Sequence, residues 1–289
     1  MILSATRFRL FSMLLCVLVI TSCAEKGTTL NDLKAALTLH SSFDDGVVAD
    51  FALGDKNLYT VPNRHARDSA QVGLHKPDIK MVDNGKYGGG LLFTERSRGN
   101  IYYPSTNNIV YSQTDWSGAI SFWLSLDPAT DLEPGFCDPI QITDVSYNDA
   151  AIWVDFTRDN PRDFRLGVIG DRKVWNPELI REEDSLFLPQ LAPVKNPPFA
   201  KNAWTHVLIN FSHLNTDHGK ADLYMNGELK STRNNITDPF TWDLEQSNIY
   251  LGLSYIGLYD ELSIFNKPLS ETEISVLYNL ENGMKALLE

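Results

Sequence analysis

Apolar and polar residues alternate with period two along most of this chain. In Ala119-Ile-Ser-Phe-Trp-Leu-Ser-Leu126, Ile120, Phe122, Leu124 and Leu126 fall on one side and Ser121, Trp123 and Ser125 on the other. Residues 204–212 repeat the pattern, with Val207, Ile209 and Phe211 on one side. Alternation of this kind marks a strand, whose successive side chains point to opposite faces of a sheet. Further strands read at 91–93, 139–145, 151–157, 164–169 and 248–253, and a closing strand carries Leu258, Leu262 and Ile264. Asn226-Gly227 predicts a two-residue hairpin, because both residues tolerate positive φ. No long helical periodicity competes. Ser270 with Glu273 predicts a capping box opening a short C-terminal helix. The fold class is therefore all-β: an antiparallel sandwich in one domain over 37–280, with a tail at 281–289.

Two segments break the rhythm. Residues 57–83 are polar and rich in His, Arg and Lys. Residues 171–202 carry five prolines and the run Arg181-Glu-Glu-Asp184, and read as an insertion between two strands. Loops this long in a compact domain usually serve function.

The N-terminus is of another kind. Arg7 and Arg9 precede an apolar run of 11 residues, Leu10 to Ile20, too short to span a bilayer comfortably. Residues 1–22 read as a cleaved signal. Ile20-Thr-Ser-Cys23 resembles the lipobox of bacterial lipoproteins. That resemblance implies lipidation at Cys23, a polar tether over 23–36, and membrane partnership through the lipid. Ala24 rather than Asp after the cysteine points to the outer membrane of a bacterial cell envelope. Cys137 is then the one cysteine outside the signal and the anchor, so no intramolecular disulfide is expected. The formal charge of −12 becomes −14 without residues 1–22, and no basic cluster offsets it. Nucleic acid is excluded as a partner class.

Several pieces occur together in a familiar order: Ser42-Phe-Asp-Asp-Gly46, Gly118-Ala-Ile-Ser-Phe-Trp123, Trp204-Thr-His-Val207, Asp222-Leu-Tyr-Met-Asn-Gly227, and Gly257-Leu-Tyr-Asp-Glu-Leu262 with Pro268-Leu-Ser-Glu271. The set resembles the laminin-G-like branch of the concanavalin A-like lectin/glucanase superfamily. The resemblance implies an antiparallel jelly-roll β-sandwich. It also implies a structural Ca²⁺ at Asp44 and Asp260, since first and last strands pair in that family and hard oxygen ligands suit this cation. It implies no single activity, because the fold hosts lectins, enzymes and adhesion modules.

Carbohydrate recognition needs aromatic rings to stack on sugar C–H faces and polar groups to read hydroxyls. Of 31 aromatics, most must fill the core. Among Trp153, Trp175, Trp242, Tyr255 and Tyr259, Trp175 stands out, because it lies in the insertion with no strand to bury it. Trp175 as a platform with Arg172 and Lys173 as polar readers is the expected ligand site. No E-x-D-x-x-E string of the family's glucanases occurs. Gln141-Ile-Thr143 matches a jelly-roll lyase strand only in part, its histidine being replaced. The expected function is a non-catalytic, lipid-anchored binding module for polysaccharide or glycoconjugate. A divergent hydrolase or lyase and a protein-interaction component of the envelope are the alternatives.

Overall fold

The computed structural model describes residues 27, 29–63, 66–97, 100–180 and 184–288. Cys23 and the signal lie outside the described residues, as does most of the charge run at 181–184. Strands β1 (Leu37–Ser41), β2 (Phe51–Ala52), β3 (Tyr59–Val61), β4 (Gln71–Val72), β5 (Ile79–Val82) and β6 (Gly90–Phe93) come first. Then follow β7 (Asn100–Pro104), β8 (Trp116–Ser125), β9 (Cys137–Ser146), β10 (Asp149–Phe156), β11 (Phe164–Ile169) and β12 (Leu191–Val194). The last are β13 (Thr205–Leu214), β14 (Gly219–Met225), β15 (Glu228–Ile236), β16 (Asn248–Leu253) and β17 (Gly257–Phe265). Helical stretches are α1 (residues 29–36), α2 (Arg172–Trp175), α3 (Asp184–Phe187), α4 (Glu271–Tyr278) and α5 (Lys285–Leu288).

Among the described residues the strands form two antiparallel sheets. The first runs β15-β14-β13-β8-β17-β1-β2, with β6 and β5 joined to β17; the second runs β12-β11-β10-β9-β16-β7-β3-β4. Their facing sides enclose one core. Ile120, Phe122, Leu124, Val207, Ile209 and Phe211 from the first sheet meet Ile140, Ile142, Ile152, Val154 and Ile249 from the second. The alternation read from the sequence selects these side chains. The jelly-roll sandwich is thus the fold. Asn226 and Gly227 turn the β14–β15 hairpin at φ 52° and 77°, and Ser270 with Glu273 forms the capping box of α4. Cys137 is buried, and burial raises its thiol far above the ordinary range.

The two outer faces are covered differently. Over the first sheet lie α1, α4 and α5, packing Leu33, Ile274, Leu277 and Met284 on Ala119, Leu208 and Phe265. Residues 29–36 are therefore part of the folded body, where the sequence reading places tether. The polar register of β8 is consequently buried too. Ser121 Oγ lies 2.8 Å from His206 Nε2, and Trp123 stacks on Tyr278 at 5.7 Å. Neither histidine ring beneath this roof is exposed, and burial keeps both neutral, holding His40 down to about 4 and His206 to about 3.

Of the 57–83 segment, β3 and β4 extend the second sheet at one edge and β5 joins the first sheet, while the insertion reaches the second sheet from the other edge. From the 57–83 side, Tyr59, Tyr102 and Tyr250 form a ladder with ring separations of 5.5 and 5.6 Å. Arg67 caps it through Asp144 O and Gln246 Oε1. From the other side comes the insertion, which contains a strand that its sequence conceals. β12 pairs with β11 from Phe164↔Val194 to Gly167↔Leu191. Pro193 is tolerated because β12 is the edge of its sheet, where one missing donor faces no partner.

A candidate ligand cleft on the second sheet

Beside the insertion the outer face of the second sheet stays open. The opening is a cleft of about 710 Å³, within the range that binds small molecules. Its floor comes from outward residues of β9 and β7. Gln141, buried, donates from Nε2 to Asp138 Oδ2 at 2.6 Å, and Asn100 stands beside them. Arg96, Ser97 and Glu133 form one wall; Leu253 and Ser254 form another. Arg96 is held by a 2.7 Å bond from Nη1 to Pro134 O.

The cleft continues into a smaller hollow of about 280 Å³, sharing Phe136, Asp138 and Tyr147. Phe187 and Leu188 of the insertion close its far side, above Trp153, Asp155 and Arg165. Asp155 and Arg165 are cross-strand partners on β10 and β11. They form a bidentate pair, Nε to Oδ1 at 2.8 Å and Nη2 to Oδ2. Burial pushes the Asp155 carboxyl up, against the pull of Arg165. The guanidinium lies 4.9 Å from the Phe136 ring centre, a cation–π geometry.

Trp153 is a structural ring here. Gly167 lets it lie flat on β11, since a Cβ there would sit 2.3 Å from the indole. Phe187 covers it at 6.3 Å with an interplanar angle of 24°, and it is 2% exposed. Trp175 packs against Phe187 at 5.8 Å, donates from Nε1 to Asn148 O at 3.2 Å, and is half-buried. It does not line the cleft or the hollow, and neither do Arg172, whose backbone amide bonds Asp149 Oδ1, or exposed Lys173. Trp242, Tyr255 and Tyr259 belong to the core. The rings that do present themselves are Phe136 and Tyr147, 49% and 45% exposed. Sequence reasoning missed both, although the argument applied to Trp175 fits them: each is an aromatic beside a turn at one end of β9.

Asp44 and Asp260, which line neither the cleft nor the hollow, meet at one turn. Asp44 Oδ1 accepts from Gly89 N at 2.8 Å, and Asp260 Oδ2 accepts from Lys86 N at 2.6 Å and Tyr87 N at 3.3 Å. Asp260 is aimed there by an irregularity in the β17–β8 register, where Glu261 adopts φ 55°. Burial, with a smaller contribution from Asp44, lifts Asp260 to about 7; burial likewise lifts Glu261 to about 8. Lys285 stands 2.5 Å from Asp45, 3.4 Å from Asp44 and 3.7 Å from Asp50. The hydrogen bond to Asp45 raises its ammonium further. Among the described residues no group of three or more His, Cys, Asp or Glu is placed to hold a metal ion. A cation here would draw on the two carboxylates plus backbone carbonyls.

The family profile of the concanavalin A-like lectin/glucanases superfamily matches residues 99–275. The chain belongs to that superfamily. Among solved structures it is similar to domain 4 of AbnA, a GH43 extracellular arabinanase from Geobacillus stearothermophilus, in complex with arabinotriose. The identity is 18% over 83% of this chain and 97% of that one, with a TM-score of 0.50. It is also similar to the botulinum neurotoxin serotype D ligand binding domain in complex with N-acetylneuraminic acid, at 16% identity over 86% of this chain, TM-score 0.53. The serotype G binding domain gives 16%, 84% and 0.52. The chain spans about half the length of these neurotoxin structures, 52% and 50%. At such identities the likeness speaks for the fold. No curated protein matches the chain.

Proposed function

We propose that this protein is a carbohydrate-binding module whose ligand lies in the cleft across the second sheet. The observation that carries the reading is the pairing of a hydrogen-bonding floor, Asn100, Asp138 and Gln141, with two half-exposed rings, Phe136 and Tyr147. Stacking and hydroxyl recognition are thereby offered within one opening. Sugar complexes of the arabinanase domain and the serotype D domain, which share the fold, support it. The platform role read for Trp175 passes to Phe136 and Tyr147, while Trp175 supports Phe187. A binding role is favoured over hydrolysis because two of the three carboxylates lining the two compartments are tied, Asp155 to Arg165 and Asp138 to Gln141. Phe136→Ala and Tyr147→Ala should each weaken glycan binding at least tenfold, about 1.4 kcal/mol. Half-exposed rings contribute little to folding, so the melting temperature should move by less than about 2 °C. Retained affinity in both variants, read by calorimetric titration, sinks this site.

Anchoring at Cys23 and an outer-membrane address complete the proposal. What supports them is the lipobox-like sequence; none of the helices among the described residues is long and apolar enough to cross a membrane. Wild-type protein should fractionate with membranes, and Cys23→Ser should appear in the soluble fraction or retain its signal. Wild type found soluble and cleaved elsewhere removes the anchor.

A further inference from the structure

The cleft and its hollow differ in chemistry, and the difference bears on which glycan fits. This rests on the carbohydrate-binding reading above. In the hollow, Tyr147, Phe187 and Leu188 present apolar surface, and Leu188 is 51% exposed. The Arg165 and Asp155 groups beneath already satisfy each other in a bidentate pair whose side chains are only 12% and 5% exposed. Asp138, on the border with the main cleft, already accepts from Gln141; a sugar hydroxyl set deeper, against Phe187 and Leu188, would give up water without gaining an equivalent partner, which is unfavourable. A methyl-bearing substituent loses no hydrogen bond there and covers exposed leucine and aromatic carbon. The main cleft offers the opposite environment, with Asn100, Asp138 and Gln141 along its floor.

Charge narrows the class further. The lining of the two compartments carries Arg96 and Arg165 against Glu133, Asp138 and Asp155. Arg165 is neutralised by Asp155, and Arg96 is outnumbered in the cleft lining by Glu133 and Asp138. The whole chain carries −12. A uronic or sialic acid would approach against this field.

We propose that the ligand is an uncharged glycan bearing an acetyl or deoxy-methyl substituent, with the sugar ring in the main cleft and the substituent in the hollow between Tyr147, Phe187 and Leu188. The test is an array of neutral, acetylated, deoxy and anionic oligosaccharides probed with the mature chain. It includes a β-1,4-linked N-acetylglucosamine tetramer and its glucose counterpart, which differ only at the acetamido group. Every binder is then titrated against its unsubstituted partner, with wild type and Leu188→Asn. Binders should be neutral and substituted, at least tenfold tighter than their unsubstituted partners, since one apolar group filling a pocket is worth 10-fold or more. Leu188→Asn should erase that margin while leaving the weak binding of the unsubstituted partner within about threefold. Equal affinity for substituted and unsubstituted partners, or a preference for anionic glycans, overturns this inference and leaves the carbohydrate reading standing. Silence across the whole array overturns both.

Discussion

The two outer faces of the sandwich began from the same alternating pattern and ended differently. On the first sheet, α1, α4 and α5 cover the strands, so polar residues there find partners within the protein: Ser121 with His206, His40 with Ser263, and Asn210 with the backbone of Leu269. On the second, a cleft remains over Asp138, Gln141 and Asn100, and two half-exposed aromatic rings stand at its edge. A polar register is thus no guide to exposure by itself. What matters is which later segment folds across it.

If the closed face serves stability and the open face binding, perturbations should separate. The largest effect is expected from Ile274→Ala, which empties a fully buried site under the roof. Such truncations cost about 2–5 kcal/mol, on the order of 10 °C in a domain this size. Glycan affinity should be unchanged in a titration well below the melt. A loss of affinity matching the loss of stability would show the faces to be one unit.

Calcium at Asp44 and Asp260 comes next. A cation bound only by the folded state, at a hundredfold over Kd, adds about 2.7 kcal/mol, or roughly 4–10 °C. Millimolar Ca²⁺ should raise the melting temperature, Mg²⁺ should not, and Asp260→Ala should abolish the rise. An unchanged melt with Ca²⁺ and with chelator would leave Lys285 as the counter-charge of that corner.

The smallest effect concerns Glu261. Its carboxyl titrates near 8 when folded against 4.5 ordinarily, so between those values the folded state holds a proton that the unfolded state has lost. Stability from this group therefore falls as pH rises towards 8. The neutral histidines, His40 and His206, act in the other direction, but only below their ordinary value of 6.5. Glu261→Gln keeps an acceptor for Met284 N, which bonds Glu261 Oε2 at 2.9 Å. Over pH 6.5–8.5 the melting temperature of wild type should decline by a few degrees more than that of the variant. Parallel curves would remove Glu261 as the cause.

These contrasts explain what could be read from the chain. Strands such as Phe164–Ile169 and Asn248–Leu253 were legible to the residue, because one face of each must enter the core. β12 was not: four residues with a proline carry no pattern until an edge of β11 is there to receive them. Trp175 was singled out for lying outside a strand, yet Phe187, twelve residues on, packs against its ring. Phe187 touches Tyr147 as well, at 5.8 Å, and Arg165 lies on Phe136, yet these two rings stay 45% and 49% exposed. Nothing local distinguishes the two cases, since cover is decided by chain distant in sequence.

The helix at residues 29–36 would also fix an orientation if Cys23 carries the proposed lipid. Six peptide steps separate Cys23 from Thr29, and an extended chain advances at most about 3.6 Å per step. With Cys23 acylated, Thr29 would stand within about 22 Å of the lipid headgroups. Because this helix lies on the roof of the first sheet, that roof would rest towards the bilayer. The cleft, on the opposite side of the sandwich, would then look outward, away from the membrane's own lipids and towards whatever polymer lies beyond them.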